Sequence, residues 1–471
     1  MKVFILYPPL STQERFSSQL GHAVGHQIPL GVFYLAACLR NLGHTVEVVD
    51  AEVRNLDAES VLDMISHFAP DVLGISSTTV AFHRAVEIAE LVEERFPQLT
   101  MVLGGPHVSA SPKNTLETSP FKIGVVGEGE TTFPELLEAL KNGSELTNVH
   151  GIVFKQGEEI IQTPRRPLIE DLDTLPFPAY DMIPNIGMYV PVANKYKILP
   201  FATIISSRGC PNQCTFCDQA IFGRKLRQRS PENIAAEIIM LYRKFGVREF
   251  TFADDTFTLN SRRIPALFSL LDAENIRFPW SCFARVNTVD EEILRYMKSK
   301  GCWNISFGIE SGNQEILKTI KKNITLEQVE KAVSACSKIG MEARGFFMLG
   351  HPGETPDTME QTIRFATSLP LSNAHVTINT PFPGTTQYSE THLYGTLDTT
   401  DWKRFSFFRP VFVPHGLSEE QLKEAQRSFM RRFYLRPRII AQYCRSFISP
   451  TGFKRMFQLA KALPFLFKKN Q

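Results

Sequence analysis

The 471-residue chain lacks any run of about 18 uninterrupted apolar residues, the length a spanning helix needs, so hydropathy excludes a membrane span. Its first residues, Met1-Lys2-Val3-Phe4-Ile5-Leu6-Tyr7-Pro8-Pro9, hold one lysine and a short apolar run cut by two prolines. That is too short for a secretory signal, and the expected location is the cytoplasm. Cysteine is sparse, with eight in the chain, which excludes a disulfide scaffold. Three of the eight, Cys210, Cys214 and Cys217, lie together, and clustering of this kind favours metal over disulfides. Net charge is almost absent too: 51 Lys and Arg against 49 Asp and Glu leave +2, which argues against a general nucleic-acid binder. The balance hides an asymmetry. Residues 421–471 carry 12 Lys and Arg against Glu424 alone, so the other 420 residues hold 39 basic and 48 acidic side chains. An acidic body is joined to a basic, aromatic tail.

Length predicts two or three domains, because single cores stop growing near 250–300 residues. Residues 1–150 alternate β-branched runs with helical patterns, the βαβα order of a doubly wound parallel sheet. Three strands end in Ser76-Ser77-Thr78-Thr79, Gly104-Gly105-Pro106-His107 and Gly127-Glu128-Gly129-Glu130. Ligands of such sheets collect at the carboxyl ends, although glycines also simply end strands and make turns. Residues 151–200 read as a connector: a hairpin-like stretch at 151–162, then seven prolines between Pro164 and Pro200. Over 201–400 a second βα series runs through candidate strands 202–206, 249–253, 280–283, 304–309, 343–348 and 375–379. Ser230 and Thr325 are the expected caps of two intervening helices. Six such units predict a partial barrel with its chemistry on the carboxyl-terminal face. Residues 401–471 form the basic aromatic extension, with one helix carrying Leu422, Phe429 and Phe433 and another carrying Phe453, Met456, Phe457, Ala460 and Leu463. The fold class is therefore α/β, a doubly wound sheet followed by a partial (β/α)6 barrel and a helical extension.

Arg208-Gly209-Cys210-Pro211-Asn212-Gln213-Cys214-Thr215-Phe216-Cys217 has the spacing C-x3-C-x2-C in a loop after the first barrel strand. Three soft ligands suit iron–sulfur or zinc. A closed zinc site wants a fourth ligand, and the next cysteine is Cys282. With an aromatic residue, Phe216, before the last cysteine, the segment resembles the motif of the radical S-adenosylmethionine (SAM) superfamily. The resemblance implies that Cys210, Cys214 and Cys217 ligate a 4Fe-4S cluster whose open iron binds SAM, and that reductive cleavage yields a 5′-deoxyadenosyl radical. It further implies SAM contacts from Phe216, Asp254 and Asp255 after the second strand, Arg285 after the third, Glu310 and Ser311 after the fourth, and the segment from Gly345 on the fifth. Competing readings stand beside these: a helix N-terminal carboxylate for Asp255, a surface arginine for Arg285, and barrel core for Phe346 and Met348. Cys282, Cys302 and Cys336 read as small buried apolar residues.

A doubly wound domain ahead of such a barrel resembles the cobalamin-binding subclass of these enzymes. The likeness rests also on Pro29-Leu30-Gly31, Tyr34-Leu35-Ala36-Ala37, Leu175-Pro176-Phe177-Pro178-Ala179-Tyr180-Asp181 and Pro381-Phe382-Pro383-Gly384-Thr385. It implies that Ser76, Ser77, Thr78, Gly104, Gly105, Gly127 and Glu128 surround cobalamin. The mutase-type D-x-H-x-x-G motif is missing: this chain reads Asp50-Ala51-Glu52-Val53-Arg54-Asn55, with no imidazole for cobalt. The expected activity is C-methylation of an unactivated carbon of a hydrophobic metabolite. The alternatives are oxidative cyclisation or rearrangement, as in the anaerobic magnesium-protoporphyrin ester cyclases, and a non-catalytic cobalamin sensor, against which the intact cysteine triad argues. The expected partners are a hydrophobic small molecule and a reductant such as flavodoxin or ferredoxin, with no nucleic acid. For the tail two readings stand: peripheral contact with anionic lipid headgroups at the inner membrane face, or a helical cap on the barrel.

Overall fold

The computed structural model describes residues 1–11, 14, 25–192, 194–398, 401–406 and 408–446. Short apolar runs form strands β1 (Lys2–Tyr7), β2 (Thr45–Asp50), β3 (Val72–Ser76), β4 (Thr100–Gly104) and β5 (Ile123–Val125). They pair in parallel in the order β2-β1-β3-β4-β5, reversing direction between β1 and β3. Helices cover both faces, and Val3, Phe4, Ile5 and Leu6 of β1 are at most 1% exposed, which is why the run is continuously apolar rather than alternating. The switch point opens a crevice at the carboxyl ends of these strands.

One expected boundary moves. The hairpin β6 (Ile152–Gln156) and β7 (Glu159–Gln162) pairs antiparallel with β5, so the first sheet has seven strands and the connector begins after Gln162, not at 151. Proline density marked the strap, but the free edge of β5 claimed the hairpin. The strap itself ties the two halves together. Tyr180 OH donates to Glu237 Oε1 in the barrel at 2.8 Å, and Tyr189 OH donates to Asp50 Oδ2 at the end of β2 at 3.0 Å.

The second sheet follows chain order: β8 (Phe201–Ile204), β11 (Glu249–Phe252), β12 (Trp280–Ala284), β13 (Cys302–Glu310), β14 (Glu342–Leu349) and β15 (Asn373–Ile378), all parallel. A small antiparallel ribbon, β9 (Ser207–Arg208) with β10 (Arg227–Gln228), interrupts the series after β8. The expected helix caps are present: Ser230 accepts from Asn233 N, and Thr325 forms a capping box with Gln328. Side chains alternate across each strand. Phe347 packs outward against Phe429 of the C-terminal helix, ring centroids 5.2 Å apart, so its neighbours Phe346 and Met348 face the barrel interior.

That helix, Glu419–Tyr434, buries Leu422, Gln426, Phe429 and Phe433. Gln426 Nε2 donates to Val376 O at 3.1 Å and Tyr434 OH to Ala374 O at 2.6 Å, so the helix caps the outer face of β15. The helix expected around Phe453–Leu463 lies outside the described residues. Among the described residues no helix is long and apolar enough to cross a membrane.

Candidate functional site

The ribbon β9–β10 pinches off residues 209–226 as a loop over the barrel mouth, and this loop carries the three cysteines. Gly209 begins it at φ +84°, where a Cβ would stand 2.3 Å from Lys225 O, so no other residue fits the turn. Gln219 Nε2 donates to the carbonyls of Cys210 and Asn212 at 2.9 Å each, and the loop is pinned from the barrel side by Thr215 N to Ile320 O at 3.1 Å. Two N–H groups already address sulfur: Asn212 Nδ2 lies 3.2 Å from Cys210 Sγ, and Arg285 Nη1 lies 3.6 Å from Cys214 Sγ. Burial, the Asp255 carboxylate and the other two thiols push the Cys217 thiol up to about 12, although the residue has accessible surface. Accessible surface on a group ringed by protein marks the lining of a cleft, and a bound cation would relieve that penalty. Among the described residues no three His, Cys, Asp or Glu side chains converge on a single ion. A cluster, ligated at separate corner irons, does not require such convergence. Three thiols with N–H donors on two of them fit a 4Fe-4S group.

The structure sorts the residues expected around SAM into two groups. Arg285 is not a surface arginine: it is 5% exposed, donates to Lys322 O and reaches Cys214. Glu310, on a bulge of β13 at φ +69°, pairs with Lys322 Nζ at 2.7 Å, and both are buried. Phe216 lies between Lys322, 5.6 Å above its ring, and His351, with ring centroids 5.9 Å apart. Asp255 carries accessible surface, and burial together with the Asp254 charge raises its pKa. Phe216 belongs to the cysteine loop, and the other three lie around it.

The other three are engaged elsewhere. Asp254 accepts from Ser206 N at 2.6 Å, Ser207 N at 3.1 Å and Arg263 Nη2 at 2.9 Å, locking the β8–β9 junction. Ser311 Oγ is fully buried against Thr362 Oγ1 at 3.1 Å and caps Asn313 N. Gly345 sits inside β14, where a Cβ would meet Phe347 at 2.7 Å and Leu371 at 2.9 Å, so its role is close packing. Cys282, Cys302 and Cys336 are free, buried thiols, as expected.

Between the first sheet and the ribbon lies a cavity of about 420 Å³. Ser76, Thr78, Gly104, Gly105, Gly127 and Glu128, six of the seven residues that the resemblance put around cobalamin, line it. Ser77 does not, being fully buried, with its hydroxyl on Thr78 O. Gly105, at φ +95° with the Ser77 backbone 2.9 Å from any Cβ, lets the chain turn away and leaves the mouth clear. The cavity runs inward along Ile5, Gly74, Val102 and Phe133, an apolar slot between sheet and helix, which suits a large neutral ring system with an apolar appendage. These features fit cobalamin. The opposite wall is Arg208, Ile221 and Phe222 of the cysteine-loop segment, so the two sites share one wall.

Sequence reasoning missed what holds that wall. Glu128 Oε2 accepts from Arg227 Nη1 at 2.8 Å and from Ile169 N at 2.8 Å, while its Oε1 accepts from Arg208 Nη1 at 2.7 Å. Arg208 also pairs with Glu130 at 2.5 Å. All four side chains are at most 8% exposed. Lys322, inside an ordinary basic run, gave no signal either. His351 and Glu354, at the end of the segment that the resemblance marked from Gly345, are buried: burial drives the histidine down to about 3 and the carboxyl up to about 8.

Comparison with known proteins agrees with this division. The Radical SAM superfamily model matches residues 204–366, and the B12 binding domain model matches residues 20–137. An uncharacterized methyltransferase of Pyrococcus horikoshii is 36% identical over 445 residues, covering 93% of this chain and 94% of that protein. The anaerobic magnesium-protoporphyrin IX monomethyl ester cyclase of Rubrivivax gelatinosus is 27% identical over 505 residues, covering 100% of this chain and 88% of that protein. Among solved structures, the radical SAM methyltransferase TsrM from Kitasatospora setae has the same fold, with TM-score 0.71 and 16% identity over 93% of this chain and 90% of that one.

Proposed function

The chain belongs to the cobalamin-dependent radical SAM enzymes, and from that premise we propose that it methylates an unactivated carbon of a hydrophobic metabolite. When bound, the cluster with SAM supplies a carbon-centred radical and the corrin a methyl group. The observation that carries this reading is the shared wall: the cysteine loop and the cobalamin cavity lie on opposite sides of Arg208, Ile221 and Phe222, which suits two half-reactions on one substrate. The residues' own work is positional. Arg285 and Asn212 donate to two of the cysteine sulfurs, Lys322 holds Glu310 in its strained turn, and the accessible Asp255 is the carboxylate offered to an ammonium group. The Glu128–Arg208–Arg227 network keeps the wall at a fixed spacing.

A reductant such as flavodoxin or ferredoxin completes the proposal, with a cytoplasmic location. The described part of the tail favours the capping role over membrane contact: Arg432 pairs with Glu360 at 2.7 Å and Arg436 donates to Leu369 O at 3.2 Å. The test is anaerobic reconstitution with iron, sulfide, cobalamin, SAM and reductant. The expected products are 5′-deoxyadenosine, S-adenosylhomocysteine and a product heavier by one methylene. SAM consumption without S-adenosylhomocysteine or methylated product in any lipid or tetrapyrrole fraction overturns it. The similarity to the cyclase keeps oxidative ring closure as the second reading, which product mass separates.

A further inference from the structure

The buried arginines around the cysteine loop are of two kinds. Arg208 and Arg227 share Glu128, Arg229 pairs with Glu237 at 2.5 Å, and Arg263 pairs with Asp254 at 2.9 Å. Arg285, only 5% exposed, forms no ion pair with a carboxylate among the described residues. Its side chain is nevertheless held at three points. Nε donates to Asn287 Oδ1 at 3.4 Å, Nη2 donates to Lys322 O, and Nη1 faces Cys214 Sγ at 3.6 Å. The backbone beneath is fixed as well: in the turn after β12, Thr288 donates to Arg285 O from its N at 3.1 Å and from its Oγ1 at 2.8 Å.

A guanidinium does not give up its proton, so a buried one needs an anion beside it. Asn287 and the Lys322 carbonyl supply only neutral oxygens, and the group left to balance the charge is the sulfur at Nη1. The neighbouring cation does not compete, because Lys322 Nζ is paired with Glu310 Oε1 at 2.7 Å. The donor to the other sulfur, Asn212 Nδ2 at 3.2 Å from Cys210, is a neutral amide, so of these two contacts only that of Arg285 carries charge. We propose that Arg285 sets the reduction potential of the cluster held by Cys210, Cys214 and Cys217, by placing a fixed positive charge and an N–H donor on the Cys214 sulfur. This rests on the reading of the triad as the 4Fe-4S site, and it gives a redox role to a residue that the resemblance made a SAM contact. In the step concerned, one electron passes from a donor of the flavodoxin or ferredoxin class to the cluster; the donor is oxidised by one electron, the cluster is reduced by one, and no bond or proton is exchanged. The added electron enlarges the negative charge that the guanidinium faces, so the reduced state gains more from Arg285 than the oxidised state does.

The test is a potentiometric measurement on the reconstituted full chain without SAM, following the electron paramagnetic resonance signal of the reduced cluster. Arg285→Gln keeps an N–H donor and removes the charge; it should lower the ratio of reduced to oxidised cluster about tenfold, a shift of about 59 mV to lower potential for one electron. Arg285→Lys, which restores the charge, should recover most of that shift. An unmoved potential in Arg285→Gln, or no recovery in Arg285→Lys, overturns the proposal, and weaker SAM binding at an unmoved potential would return Arg285 to the SAM carboxylate. If Arg285→Gln does not hold a cluster, wild-type protein carrying isotopically labelled arginine nitrogen takes its place. Electron–nuclear double resonance of its reduced cluster should then show coupling to the guanidinium nitrogen, and absence of that coupling overturns the proposal. Reconstituted wild type without cluster iron is instead a failure of the cluster reading itself, so the two failures are distinguishable.

Discussion

The two carboxyl-terminal crevices of this protein are made of different material. In the first sheet the crevice is built from backbone and space: Gly104, Gly105, Gly127 and an apolar slot beside Gly74, with its charged wall supplied by Arg208 of the other half. At the barrel mouth, charge does the building: Glu310–Lys322, Asp254–Arg263 and Arg285 at Cys214 are all buried, and each is oriented by a partner. A large neutral ring is held by shape and excluded water, whereas a charged cluster and a zwitterionic ligand are held by fixed charges in a dry site. Damage to one crevice should therefore leave the other's ligand bound, unless the damage falls on the shared wall.

The largest expected effect is at the cysteines. Alanine at Cys210, Cys214 or Cys217 should reduce cluster iron and 5′-deoxyadenosine to background while corrinoid absorbance persists; loss of both would show that the crevices are not separable. Next is the wall. Glu128→Gln leaves Arg208 and Arg227 without their shared carboxylate and should cost about 3–5 kcal/mol in denaturant unfolding, because a broken buried pair strands its charge. A loss under about 1 kcal/mol would mean that the wall is not held electrostatically. Gly105→Ala meets the Ser77 backbone at positive φ and should cost about 1–3 kcal/mol, lowering corrinoid retention but not iron content. Lys322→Met should do the converse, sparing corrinoid and weakening SAM binding.

The smallest effect is a pH slope. Glu354, raised to about 8 in the fold, stays protonated where the unfolded chain has already lost that proton, so its contribution to stability falls as pH rises from about 4.5 through 8. Below about 6.5 His351, lowered to about 3, contributes the opposite slope. Urea unfolding between pH 6.5 and 8 should therefore show a decline that Glu354→Gln flattens, and an unchanged slope would remove Glu354 as its source.

Residues whose role depends on near neighbours in the chain were the ones that sequence could read. The six barrel strands and the caps at Ser230 and Thr325 are set by spacings of a few residues, and each appears as expected. Asp254, Ser311 and Gly345 have partners within the protein that the sequence did not show, because an acid, a hydroxyl or a glycine at a strand end looks the same whether it faces a ligand or a neighbouring helix. The hairpin at 152–162 was placed in the connector because local pattern does not say which sheet edge will accept it.

By itself, then, the sequence determined the order of the two α/β halves and the three thiols between them, since hydrophobic period and ligand spacing are local properties of the chain. Tertiary structure alone decided that Glu128 clasps Arg208 and Arg227 and that Lys322 holds Glu310. Those pairings join residues 12 to 99 positions apart, and a buried charge takes whatever partner the packing brings within a few ångströms, a distance that no sequence separation encodes.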